Sequence, residues 1–472
     1  MKSSRRSFLR GVASIAGAAS AQTAYAQHVH PAPPPQRARP AAPAPIVPPH
    51  QFGPGVVPVV SPDVRDMPWR LENGVKVFDI RVEHVRTELI PGRVMDGWGF
   101  NGSIPGPTIQ VTEGDRVRLN VENRLPEPFS MHWHGLQIPN DMDGMPGISQ
   151  DAIPPGGHFV YEFTLKQNGT FFYHSHMAMQ EMMGLIGLFI IHPRQAHAPR
   201  VDRDFGLILQ EWALLPNNTI PNSLAMEFNW LTMNGKAGPA TTPLIVKLGE
   251  RVRIRLVNLG MDHHPMHIHG HQFYVTGTEG GRIRTTAVIP ENTVLVGVAQ
   301  ARDIEFVADN PGDWHFHCHL PHHMMNQMAS MVGQLMMSNA NAPRPGTVES
   351  GMGIHEGHAL GDAAAPAFGR TINVGAETER NIANAPMART TQSAVPEGTF
   401  AAPPNAGMFP GYPQDMFMVM DDRVAKPETY GLRPGWSGGT MGMMTIVRVV
   451  GPELFDKIQE LKAEQARKAD AR

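Results

Sequence analysis

Ten of the 23 histidines in this 472-residue chain fall in four clusters. They read "HWH" (His132, His134), "HSH" (His174, His176), "HPMHIH" (His264, His267, His269) and "HCHLPHH", where His317, His319 and His323 hold ligand-type positions. Positions i and i+2 of a strand point the same way, so each H-x-H pair turns two imidazoles to one side, and four pairs supply eight. Structural zinc closes at four ligands, whereas imidazole also suits copper and iron, so eight converging rings imply a cluster of several ions. Cys318, the single cysteine, stands between His317 and His319 and faces the other way. There it can meet His264, His323 and Met328. Two histidines, a thiolate and a weak axial methionine describe a blue-copper electron-transfer centre. With no cysteine partner in the chain, Cys318 reads as a copper ligand and as the covalent bridge from that centre to its neighbours in sequence. His263, His315 and His322 read as surface or neighbouring groups, and His271 as a support for the site.

These residues need strands to carry them. Short β-type runs separated by Gly, Pro and Asn turns extend from Met67 ("VKVFDIRVEHV", "RVRLNVEN", "HFVYEFTL", "GLIGLFII"), the spacing of an antiparallel sandwich. A second series follows Arg203, and "GDRVRLNVEN" at 114–123 is nearly repeated as "GERVRIRLVN" at 249–258. The expectation is an all-β fold of two copies of one β-sandwich, at 67–195 and 203–340, with a C-terminal extension at 341–472. Within that extension only 416–420 and 443–450 look like strands. The end from Pro452 places Leu454, Phe455, Ile458 and Leu461 on one helical face. The extension reads as a wrap or docking segment.

The N-terminus indicates where the chain works. "SRRSFLR" followed by a short apolar run and "AYAQ" has the regions of a cleavable export signal, expected to end after Ala26, and the Arg5-Arg6 pair resembles the bacterial twin-arginine signal. Its apolar run is too short for a membrane span. Residues 27–66 contain 12 prolines and read as an extended spacer. Without the signal, 36 basic residues oppose 43 acidic ones, which argues against nucleic acid as a partner. The expected location is periplasmic or secreted.

Across roughly residues 70–340 the sequence resembles the multicopper oxidases, the laccase family, in "HWHG", "HSH", "HPMHIHGH", "HFHCHLPHHMMNQM" and "DGMPGISQDAIPPGGHFVYEF". The resemblance implies that the two sandwiches are cupredoxin-like Greek-key domains, with type 1 copper on His264, Cys318, His323 and Met328, and type 2 copper on His132 and His267. It implies a coupled type 3 pair on His134, His174, His176, His269, His317 and His319. Electrons would enter singly at type 1 copper, and four of them would reduce dioxygen to two waters. Asp143 matches a proton-relay acid of the family, whereas Met324 stands where many members carry another.

No room remains for the middle domain of three-domain laccases, and Ser175 stands where a thiolate would make the first domain a type 1 site. The chain therefore resembles the two-domain branch, which implies a homotrimer with trinuclear clusters between subunits. A phenolic or aromatic reductant is the expected substrate. Twenty-nine methionines, several beside the copper motifs, give the alternative of a cuprous or other metal-ion oxidase, because thioethers favour cuprous ion. Adaptable core filler is the plainer account of those methionines. From other classes, a copper nitrite reductase has no use for four H-x-H pairs, and a non-enzymatic copper-binding cupredoxin would tolerate missing ligands.

Overall fold

A computed structural model describes residues 52–214, 218–223, 228–326 and 419–470. The expected signal, most of the proline-rich spacer, Met328 and residues 416–418 lie outside them.

The first sandwich comprises β1 (Trp69–Glu72), β2 (Val75–Ile90), β3 (Arg93–Phe100), β4 (Gly106–Thr112), β5 (Arg116–Asn123), β6 (Met131–His134), β7 (His158–Thr164), β8 (Gly169–Ser175) and β9 (Ile186–His192). One sheet runs β1-β2-β5-β7, with β3 on β2, and the other β4-β9-β8-β6. Alternation builds the core: in β5, Val117, Leu119 and Val121 are buried and pack with Phe171 and Phe189 of the opposite sheet. Each such buried side chain contributes about 1.5–3 kcal/mol.

The second sandwich comprises β10 (Arg203–Trp212), β11 (Trp230–Met233), β12 (Leu244–Lys247), β13 (Arg251–Asn258), β14 (His264–Ile268), β15 (Phe273–Thr278), β16 (Gly281–Arg282), β17 (Ile289–Glu291), β18 (Thr293–Val296), β19 (Gln300–Val307), β20 (Gly312–Cys318) and β21 (Met444–Val450). One sheet runs β11-β10-β13-β19-β15-β16, with β17 on β15, and the other β12-β21-β20-β14-β18. β21 comes from far along the chain yet lies inside the sheet, parallel to β12 and antiparallel to β20. The apolar run at 443–450 thus completes the second sandwich, because every residue of β21 is buried. Helix α1 (Pro452–Asp470) follows and packs Phe455 and Ile458 against Ile245 and Val450. Val419 and Met420 form no strand.

The two sandwiches share an interface. Strand β9 is buried on both faces: Phe189 and Ile191 face their own core, while Leu188 and Ile190 pack against Ile208, Val257 and Ala301. Beside this apolar seam lies a buried ionic network. The Arg255 guanidinium forks onto both oxygens of Asp204 at 2.8 Å and donates to Thr170 Oγ1 at 2.7 Å, and that hydroxyl donates to Asp303 at 2.6 Å. Because Thr170 belongs to β8 and the other residues to β10, β13 and β19, the network ties the two sandwiches together.

Candidate metal centre

Strands β14 and β20 lie antiparallel with Met266 opposite Cys318, His267 opposite His317 and Ile268 opposite Phe316. Directly opposed residues share a face of the sheet. One face therefore carries Cys318 and Met266 into the core, and the other carries His267 and His317.

On the core face, Cys318 Sγ lies 3.4 Å from His323 Nδ1 and 3.8 Å from His264 Nδ1, and those two nitrogens are 3.2 Å apart. All three residues are fully buried. His264 comes from the start of β14, and His323 from a 3-10 turn, Pro321–Met324. The outer nitrogens meet carboxylates: His264 Nε2 is 3.2 Å from Glu211 Oε2, and His323 Nε2 is 3.4 Å from Asp262 Oδ2. An acceptor at Nε2 leaves the Nδ1 lone pair directed at the thiol. Burial pushes the Cys318 thiol up to about 12, and the nearby charges of Glu211 and Asp262 add to this against one backbone hydrogen bond. Burial also lowers His264, although Glu211 opposes it. Two imidazoles beside a thiol that ionises only against a cation fit a soft metal ion.

On the other face, His267 Nδ1 donates to the Asn292 carbonyl at 2.7 Å, and His317 Nδ1 to the Cys318 carbonyl at 2.8 Å. His269 Nε2 and His317 Nε2 approach to 3.0 Å. Ring centroids of His317 and His319 are 5.5 Å apart, and those of His267 and His319 5.4 Å.

The first sandwich repeats the device. β6 and β8 place His132 opposite His174. His132 Nδ1 donates to the Asp143 carbonyl at 2.8 Å, and His174 Nδ1 to the Ser175 carbonyl at 2.7 Å. In the H-S-H and H-C-H pairs the middle residue's carbonyl orients the first ring and frees its Nε2, and in the other two a carbonyl from a neighbouring loop, that of Asp143 or Asn292, does the same. His134 Nδ1 is 3.3 Å from His174 Nε2, and the His176 ring centroid is 5.4 Å from that of His132. Burial first and neighbouring rings second hold His134 and His317 down to about 4; for His317 a hydrogen bond to the Cys318 carbonyl partly opposes this. They are uncharged at neutral pH and available as donors.

Among the described residues the two histidine groups make no ring contact with each other. Among the described residues, every ring contact of the eight is with a residue of its own sandwich. His176, His269 and His319 are exposed.

The remaining sequence candidates are also placed. The Asp143 carboxylate lies 3.5 Å from His132 Nδ1. His271 Nδ1 is 3.2 Å from the His269 carbonyl and packs on Phe306 and Trp314. His315 touches the His269 ring, the exposed His322 ring lies against His323, and His263 accepts a backbone N–H from Val298. Met182 is buried in the second sandwich's core and Met179 packs against it, so these two methionines are filler.

Sequence reasoning missed Glu211, Asp262 and Glu181, whose Oε1 is 3.4 Å from His174 Nδ1. Glu211 could have been suspected as an acid inside the apolar run "GLILQEWALL".

Two family models described as multicopper oxidase match residues 82–196 and 215–335, together about half of the chain. The blue copper oxidase of Nitrosomonas europaea is 33% identical, over 53% of this chain and 81% of that one, with a TM-score of 0.50. The chain belongs to the multicopper oxidase family. Members of this family bind type 1, type 2 and type 3 copper, which agrees with the donor sets above. Among curated relatives, a copper resistance protein A homolog of Pseudomonas syringae pv. tomato is 40% identical over 136 residues, 29% of this chain and 23% of the relative. Laccase-1 of Botryotinia fuckeliana is 34% identical over 227 residues, 44% of this chain and 39% of the relative. The chain thus spans about a quarter to two fifths of the length of these curated multicopper oxidase relatives.

Proposed function

We propose that this multicopper oxidase takes electrons one at a time from a reducing substrate at His264, Cys318, His323 and Met328. It would deliver them to dioxygen at a trinuclear centre. In this reading His132 and His267 hold type 2 copper, and His134, His174, His176, His269, His317 and His319 hold the type 3 pair. The observation that carries the reading is the β14–β20 register, which puts a buried Cys-His-His group on one face and four imidazoles on the other. Copper, when bound, supplies one-electron redox chemistry at both centres. Cys318 is bonded through the backbone to His317 and His319, and its carbonyl also accepts from His317 Nδ1, so covalent and hydrogen-bonded paths join the two faces. Asp143 holds His132 through its carbonyl, and in this reading its partly exposed carboxylate, 3.5 Å from His132 Nδ1, would carry protons inward.

For the reductant the reading is phenolic, as the likeness to a laccase supports. A metal-ion reductant is the second reading, favoured by Asp262, His322 and His323, whose ligand atoms lie within 4.8 Å of one another at the edge of the buried group. The exposed half-sites support a homotrimer in which the first sandwich of one subunit meets the second of the next. The twin-arginine pattern supports export to the periplasm; among the described residues no helix is long and apolar enough to cross a membrane.

Copper content and oxygen uptake test the proposal together. About four coppers per chain and uptake with a panel of phenols, cuprous, ferrous and manganous ions are expected. Two coppers, or four with no uptake on any donor, would sink it.

A further inference from the structure

We propose that Glu211 is the positioning residue of the Cys318 site: it fixes which nitrogen of His264 faces the thiol, and its charge sets the reduction potential of the copper held there. This rests on reading His264, Cys318 and His323 as the type 1 ligands.

Glu211 lies near the end of β10 with its side chain fully buried. Its Oε1 accepts the backbone N–H of Met261 and, at 2.8 Å, that of Asp262. Its Oε2 faces His264 Nε2 at 3.2 Å. Among the described residues no lysine or arginine pairs with it, so His264 is its one side-chain partner of basic character. A buried carboxylate without a cation is costly, and it persists where donors converge on it. The loop is shaped around it: a Cβ on Gly260 would stand 2.6 Å from Oε1.

Three consequences follow from the chemistry. Oε2 and His264 Nε2 stand 3.2 Å apart and are otherwise without a hydrogen-bond partner, so a carboxylate, which only accepts, favours the His264 proton on Nε2 and turns the Nδ1 lone pair toward Cys318 Sγ, 3.8 Å away. A negative charge one imidazole away from the metal position stabilises the more positive, oxidised ion and so lowers the potential. Through the Asp262 N–H, the same carboxylate also anchors the residue that faces His323 Nε2 at 3.4 Å. One side chain therefore orients both histidines. Asp262 itself is 39% exposed and more strongly screened by solvent, so its charge counts for less.

The test is a redox titration of the blue absorption band in the copper-loaded oxidase and its variants. Glu211→Gln keeps the shape and removes the charge. It should raise the potential clearly, and by more than Asp262→Asn does, while Glu211→Asp, which keeps the charge, should stay nearer the parent. A Glu211→Gln protein with full blue absorption and an unchanged or lower potential would overturn the proposal. If Glu211→Gln and Glu211→Leu lose the blue band but keep the remaining copper and the parent melting temperature, the positioning role is supported, because His264 is no longer presented. If these variants and Glu211→Asp all lose the fold and all copper together, Glu211 is a scaffold residue and the proposal fails. Should the parent itself show no blue band, the type 1 reading fails first, independently of Glu211.

Discussion

The carbonyl of Met443 accepts the amide N–H of Cys318 at 3.0 Å, and the amide of Met443 donates to the carbonyl of His323 at 2.9 Å. One residue of the C-terminal segment thus holds two candidate ligands in place. Its neighbour Gly442 donates to Asn326 Oδ1 at 3.1 Å, and Asn326 Nδ2 donates to the Gly238 carbonyl at 2.8 Å. The ligand loop is clamped at both ends by residues 88 or more positions away.

Gly442→Ala tests that clamp. Gly442 has φ +61°, and a Cβ there would overlap the His323 carbonyl. The substitution should cost about 1–3 kcal/mol and lower the blue absorption per chain, as melting curves and copper-loaded spectra would read. A parent-like melting curve and spectrum would show that the clamp is slack.

Cys318→Ser should abolish the blue thiolate-to-copper absorption and turnover while most of the trinuclear copper remains, because the four histidines opposite face away from the sulfur. Retained blue colour would remove Cys318 from the ligand set.

Metal uptake at this site should depend on pH. The metal-free thiol is held up to about 12, so binding copper releases its proton. Affinity should rise about tenfold per pH unit across neutral pH, and the metal-free thiol should react slowly with alkylating reagents. Competition with a chelator of known pH behaviour measures the slope, and a flat profile would argue for a thiolate already present.

Acid should loosen the ionic network of the second sandwich. Burial alone would raise Glu305, but Arg282 at 2.5 Å and Arg253 at 2.8 Å outweigh it and hold its carboxyl at about 2. A depressed carboxyl contributes stability that is complete above its ordinary value of 4.5 and is lost as pH falls toward 2. The contribution is roughly 3 kcal/mol. Glu305→Gln should melt earlier at pH 7 and show a weaker pH dependence between 5 and 2; equal melting of parent and variant at pH 7 would contradict this.

Mixing two inactive variants tests assembly. His134→Ala spoils the first half-site and His319→Ala the second, so mixed rings should contain some interfaces with all eight histidines and regain oxygen uptake. No recovery in demonstrably mixed oligomers, or an active four-copper monomer, would defeat the trimer.

The H-x-H alternation was legible in the sequence because strand geometry alone sends neighbouring side chains to opposite faces. That sufficed to separate Cys318 from His317 and His319 and to indicate an all-β chain, whereas the fold brought His264 of β14 and His323 of the turn after β20 to the thiol. Glu211 could be suspected as an acid in an apolar run, but what it and Asp262 do was not legible, since their roles arise from β10 and the loop before β14 being packed beside the ligands. Nor was the place of β21: an apolar run shows that a strand must be buried, but not which pair of strands will receive it. Only the tertiary structure inserted it between β12 and β20 and brought the Met443 carbonyl to Cys318. The same limit applies to the two histidine groups. Local periodicity determined that each offers its rings on one face, whereas only the tertiary structure decided that, among the described residues, the rings of each group touch residues of their own sandwich alone.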